Sequence, residues 1–134
     1  MADVAKPAAR FDGFVPERAA IEAYGNGGFR FAGMSHRGSL LALPEGMHAW
    51  AIAPPATPSD LSPLLLPLLD RLEPPHFLLV GTGRRQIFPE PAVTAAFLSR
   101  RIGLEVMDTG AACRTYNVLL AEERPVMAAW VAVE

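Results

Sequence analysis

Chemically promising residues concentrate in two short stretches: Gly81-Thr82-Gly83-Arg84-Arg85, and the run from Asp108-Thr109-Gly110 through Cys113-Arg114-Thr115-Tyr116-Asn117. The first follows a continuous apolar run, His76-Phe77-Leu78-Leu79-Val80, as a phosphate-binding turn follows a buried strand. A dinucleotide fingerprint needs a third glycine for close helix–strand packing, and Gln86 stands at that position. The lysine and hydroxyl that follow the phosphate loop of nucleoside triphosphatases are also missing. A tight turn is the expectation, and no cofactor is expected. In the second stretch, Asp108 or Thr109 caps a helix whose first turns carry Cys113 and Arg114. Free N–H groups and the dipole at a helix N-terminus attract anions. Thr82, Thr109 and Arg114 therefore form a candidate seat for a small anionic ligand, with Asp108 as a base if the protein is an enzyme. The structural alternative, in which Arg114 pairs with Asp108 or Glu105 or bonds to loop carbonyls, is favoured.

Cys113 sits where a helix dipole and a neighbouring arginine would lower a thiol pKa. A cysteine nucleophile also needs a base, and His36, His48 and His76 are distant in sequence. Cys113 is therefore expected to be a small buried side chain, and Tyr116 and Asn117 to pack and hydrogen-bond within the fold. The histidines lack metal-ligand spacing, there is no G-x-S-x-G elbow, and no pair of carboxylates is placed for acid–base work. No metal site is expected, and the balance is against an enzyme.

The chain has 134 residues, 51% hydrophobic and 19% charged, with a formal charge of -2. That suits one globular domain with a core of its own. The small net charge gives no general pull toward nucleic acid or anionic membrane. Arg84-Arg85 and Arg100-Arg101 lack the interleaved aromatics of a single-strand binding surface. One cysteine excludes an internal disulfide framework. The longest apolar run, Leu61 to Leu69, is interrupted by Ser62, Pro63 and Pro67 and falls short of the ~20 residues that span a bilayer. Asp3, Asp12 and Glu17 without an uninterrupted apolar run speak against a secretory signal, so a cytoplasmic protein is expected.

The elements that must position the two stretches follow from pattern. Residues 1–18 read as a mobile tail and 19–134 as a single domain. Strands are predicted at 20–24, 29–31, 39–43 and 47–52, forming one antiparallel meander with a turn at Gly25-Asn26-Gly27-Gly28. A proline-rich connector, 53–58, leads to a helix capped by Ser59 or Asp60. Its apolar face is Leu61, Leu64, Leu65, Leu68, Leu69 and Leu72; Pro67 interrupts it and Pro74-Pro75 ends it. Trp50 and Trp130 join these leucines as core candidates. A strand at 76–80, a helix from Pro91 to about Arg101 stopped by Gly103, and a strand at 104–107 form a βαβ unit. A helix over 110–122 and a strand over 126–133 complete the chain. Parallel, right-handed crossover places the carboxyl ends of both strands on one sheet edge, where open α/β sheets bind ligands. Gly81, Thr82 and Gly83 should therefore meet Asp108, Thr109 and the residues after them.

Val80-Gly81-Thr82-Gly83, Val106-Met107-Asp108-Thr109 and Ala111-Ala112-Cys113-Arg114-Thr115-Tyr116-Asn117-Val118-Leu119 resemble the Mth nine-three-eight-like domain family. Ile21 to Tyr24, Gly28-Phe29, Gly38-Ser39-Leu40-Leu41, Trp50 and Glu123-Arg124-Pro125-Val126 stand in that family's order, so the resemblance covers about residues 19–133. It implies a three-layer α/β fold: a mixed central sheet with a βαβ unit in the C-terminal half and an additional N-terminal antiparallel β layer. It implies candidate cleft residues Gly81, Thr82, Gly83, Asp108, Thr109, Cys113, Arg114, Thr115, Tyr116 and Asn117, and no established reaction. Because the family includes an assembly factor of mitochondrial respiratory complex I, it also implies an accessory role through protein contacts, with complex I subunits as partners. The acidic residues of 1–18 depart from a mitochondrial presequence, so a bacterial relative is expected.

Overall fold

Phe29 and Phe31 point inward while Arg30 between them points to solvent, the alternation of a half-buried strand. A computed structural model, which describes residues 11–52, 57–74 and 76–134, places this strand, β2 (Gly28–Phe31), between β1 (Ile21–Gly25) and β3 (Met34–Arg37) in a three-stranded antiparallel sheet. The β1–β2 turn is Asn26-Gly27, both at positive φ (51° and 79°), as a two-residue hairpin turn of matching twist requires. Strand β3 has no counterpart in the sequence reading, because Met34-Ser35-His36-Arg37 lacks apolar alternation and stays largely exposed.

The expected single meander divides here. After Gly38 (φ +115°), β4 (Ser39–Leu43) and β5 (Gly46–Trp50) leave the first sheet. They join β6 (His76–Gly81), β7 (Ile102–Met107) and β8 (Val126–Trp130) in a five-stranded sheet of order β5-β4-β8-β6-β7. The physical reason lies in β4, which is buried at every position. Leu41 and Leu43 pack with α1 (Pro58–Leu65) and α2 (Pro91–Ser99), while Leu40 and Ala42 pack with α3 (Thr109–Ala121) and the three-stranded sheet. A strand apolar on both faces belongs inside a covered sheet. The layers are thus α1 and α2, the five-stranded sheet, then α3 with the three-stranded sheet, in agreement with the α/β expectation.

The βαβ unit forms as read: β6 and β7 run parallel, from His76 opposite Ile102 to Gly81 opposite Met107. β8 lies on the other side of β6, also parallel, and antiparallel to β4. Local boundaries differ in instructive ways. The first helix is capped by Thr57, not by Ser59 or Asp60; Asp60 is its reciprocal partner in a capping box, with Asp60 N–H donating to Thr57 Oγ1 at 3.2 Å and Thr57 N–H to Asp60 Oδ2 at 3.0 Å. Pro67 does end the α-helix, and a 3-10 segment (Leu66–Arg71) continues the leucine face. Residues 53–56 of the connector and Pro75 lie outside the described residues. Gly103 is not the stop of α2. The helix ends at Ser99, Arg101 takes the left-handed conformation (φ 61°), and Gly103 is already in β7 opposite Phe77. The last strand ends at Trp130, short of Val133.

Residues 11–18, read as part of a mobile tail, are laid along β5. Phe14 N–H donates to Met47 O at 2.8 Å, and Met47 N–H donates to Val15 O at 3.0 Å. The Phe14 ring packs on Phe31 and His36, and Arg18 donates to Val126 O at 2.9 Å. Residues 1–10 lie outside the described residues. No helix among the described residues is long and apolar enough to cross a membrane.

Arg101 occupies a left-handed position that glycine adopts without steric cost, at the end of a helix where glycine is favoured. Arg101→Gly should therefore raise unfolding stability by about 0.5–1 kcal/mol, read as a higher urea midpoint with unchanged slope. A lower midpoint would refute this account of the helix stop.

Candidate functional site

The two polar stretches meet where the sequence placed them, at the carboxyl edge of β6 and β7. Thr82 N–H donates to Met107 O at 2.9 Å, and Thr109 N–H donates to Gly83 O at 2.8 Å. Gly81 is required by this approach: a Cβ there would stand 2.9 Å from Thr109 Cα and 3.0 Å from the Trp130 ring. Gly83 has φ +100°, which turns its amide back toward the helix.

The side chains at this junction are engaged within the fold. Thr109 is fully buried; its hydroxyl donates to Val131 O at 2.7 Å and accepts from Gly83 N–H at 2.8 Å. Thr82 is 2% exposed; its hydroxyl donates to Arg85 O at 2.6 Å and accepts from Ile87 N–H at 3.0 Å. Asp108 caps α3, accepting from Ala111 N–H at 2.8 Å. The helix N-terminus is thus occupied by its own cap and by the Gly83 carbonyl. The hydroxyls expected to meet an anion already have partners.

Farther along α3 the side chains diverge. Tyr116 is fully buried, edge-on to Trp130 at 4.8 Å, and its hydroxyl donates to Ala19 O at 2.9 Å; burial pushes that phenol well above its usual range. The Asn117 amide clamps β1 twice, donating to Ile21 O and accepting from Ile21 N–H, each at 2.8 Å. Thr115 approaches Met107 Sδ at 3.6 Å. Cys113 is 4% exposed, and burial raises its thiol to about 12 despite the opposing pull of Arg114. Arg114 corrects the sequence reading: it is exposed and has no ion pair with Asp108, Glu105 or any other carboxylate among the described residues.

The ten candidate residues consequently do not line one cleft. Thr82 and Gly83 border a hollow of about 230 Å³ with Arg84, Arg85 and the chain end at 132–134. Cys113, Arg114 and Asn117 border another, of about 370 Å³, with Ile21 to Tyr24 of β1. Sequence reasoning missed the partner across this second hollow, Tyr24, whose hydroxyl lies so close over Gly110 that a Cβ there would collide with it. The signal was Gly110 itself, a glycine inside a helix, which marks close approach. Among the described residues no group of three or more His, Cys, Asp or Glu is placed to hold a metal ion.

Two outcomes follow. Thr109→Val, which keeps shape but leaves Gly83 N–H and Val131 O without a partner, should cost roughly 2 kcal/mol or more, while Thr109→Ser should retain most of the stability in the same urea titration. Cys113, buried and with its thiol pushed up by burial, should resist thiol reagents in the native protein at pH 8 and react fully once unfolded; rapid native labelling would contradict its placement.

The family model described as protein of unknown function (DUF498/DUF598) matches residues 21–131. NADH dehydrogenase (ubiquinone) 1 alpha subcomplex assembly factor 3 of Mus musculus is 32% identical over 117 residues, 87% of this chain and 62% of that protein. The chain spans about three fifths of the length of such curated relatives. An uncharacterised protein of Rhodobacter capsulatus is 37% identical over 109 residues, 81% of each chain. A crystal structure described as an outer membrane protein of Bartonella henselae is 45% identical with a TM-score of 0.74, covering 90% of this chain and all of that one. The solution structure of a Bordetella pertussis protein described as a Mth938-like domain is 34% identical with a TM-score of 0.65, over 85% of each chain. The ordered motifs of both halves, the fold they build and the match over residues 21–131 place the chain in the DUF498/DUF598 family.

Proposed function

We propose that the protein is a non-enzymatic accessory module that works through protein contacts in the assembly of respiratory complex I. The observation that carries this reading is the use made of the family's polar motif. Thr82, Asp108, Thr109, Tyr116 and Asn117 all bond to main-chain groups of their own fold, so the motif builds a rigid scaffold. Relatives named as a complex I assembly factor supply the process, and the family match over residues 21–131 includes Thr82, Asp108, Thr109, Tyr116 and Asn117. The reading places the work in the cytoplasm, with complex I subunits as the partners. The rival reading, an anion held by Thr82, Thr109 and Arg114 with Asp108 as base, has less support, since both hydroxyls and the carboxylate bond within the fold.

The test is a clean deletion in the native host. Membranes should lose most of their NADH:quinone oxidoreductase activity, assembled complex I should fall on native gels, and the wild-type chain should restore both. Normal complex I in the deletion strain would overturn the proposal.

A further inference from the structure

We propose that the free edge of β1, with the groove beside it, seats an extended acidic segment of the partner protein; this rests on the accessory-module reading. β1 pairs with β2 alone, and its other edge faces α3 across the hollow of about 370 Å³. Residues 14–15 bond along β5, and Gln86 Nε2 donates to Val106 O at 2.9 Å on β7; β3, the outer strand on the far side of β2, is also without a second strand partner among the described residues, but it does not border the groove that Arg114 lines. An open edge beside a groove is where a foreign strand adds.

The register identifies the groups on offer. Gly25 opposite Gly28 flanks a two-residue turn, and Ala23 opposes Arg30, so these pairs exchange the ladder bonds. Tyr24 between them turns its N–H and C=O to the free edge. One bulged residue earlier, Ile21 turns its own pair outward, and the Asn117 amide takes both. Asn117 thus stands where the first peptide group of an added strand would stand, and Tyr24 is the next position in line.

Charge selects the segment. Glu22 is engaged by Arg30 at 3.5 Å and by Gly33 N–H at 3.2 Å, and Asp108 caps α3. Arg114 is left exposed on the groove wall, with no ion pair among the described residues. A carboxylate from the incoming strand would meet the guanidinium fork, which suits two-point recognition. Tyr24 (44% exposed) and Val118 (57%), one helical turn past Arg114, supply apolar contact at the two sides. The partner chemistry is therefore an extended stretch carrying Asp or Glu beside an apolar residue.

Site-specific photocrosslinking of the full chain in its native host tests this. Benzoylphenylalanine is placed at Tyr24 and Val118, with Leu98 on the exposed side of α2 as control, and adducts are mapped by mass spectrometry. The expected result is one partner segment containing Asp or Glu, captured from Tyr24 and Val118 and not from Leu98. Arg114→Glu should cut both yields about fivefold or more without lowering the melting temperature, and Arg114→Lys, which keeps the charge but loses the fork, should give yields between those of the wild type and of Arg114→Glu. Tyr24→Pro removes the outward N–H without touching the ladder, and should cut capture from Val118 as strongly. Yields indifferent to Arg114→Glu, a captured segment without acid, a second copy of this chain, equal capture from Leu98 or no adduct at all would each overturn the proposal. An acidic segment from outside complex I would keep this surface and remove the assembly reading. No adduct in a host whose deletion strain loses complex I would do the reverse.

Discussion

One buried hydroxyl ties the molecule together. Thr109 Oγ1 joins the turn after β6, the start of α3 and the chain leaving β8 through two hydrogen bonds, each shorter than 3 Å. Because the Thr109 amide also bonds to Gly83, strand and helix are fixed in distance and in rotation about the helix axis. That rotation decides which side of α3 faces the second sheet. Tyr116 then lands on Trp130, Asn117 on Ile21, and Arg114 on the groove. A donor or acceptor buried without a partner costs more than a formed bond gains, so this junction tolerates little change.

Much of the C-terminal half was legible because its signals are local. A continuous apolar run, a proline-started helix and a second strand determine a parallel unit and the edge on which its loops gather. The front half was less legible. β3 is held by pairing with β2 and shows no apolar pattern, and the departure of β4 to another sheet depends on partners more than 80 residues away. The cap at Thr57 was displaced because Ser59 and Asp60 are equally good caps in isolation. The roles of Asn117 and Tyr24 rest on contacts with segments distant in sequence, for which spacing holds no clue.

The candidate site shows why polar motifs mislead. Threonine, aspartate and glycine around a strand end are what an anion site uses, and equally what a tight strand–helix junction uses to satisfy its own main chain. Spacing alone does not separate the two. Burial and hydrogen-bond partners do: Thr82 and Thr109 are enclosed with engaged hydroxyls, while Arg114 stays exposed with no ion pair among the described residues. The same distinction rules the thiol, since the loss of hydration at Cys113 outweighs a neighbouring guanidinium.

The strand order carries a consequence for how the sheet closes. β8, the last of the described strands in chain order, lies at the centre of the five-stranded sheet, between β4 and β6. Without β8 the antiparallel pair β4–β5 and the parallel pair β6–β7 have no shared ladder. Two half-sheets with apolar faces therefore close only when β8 docks between them, a step that joins segments far apart in sequence.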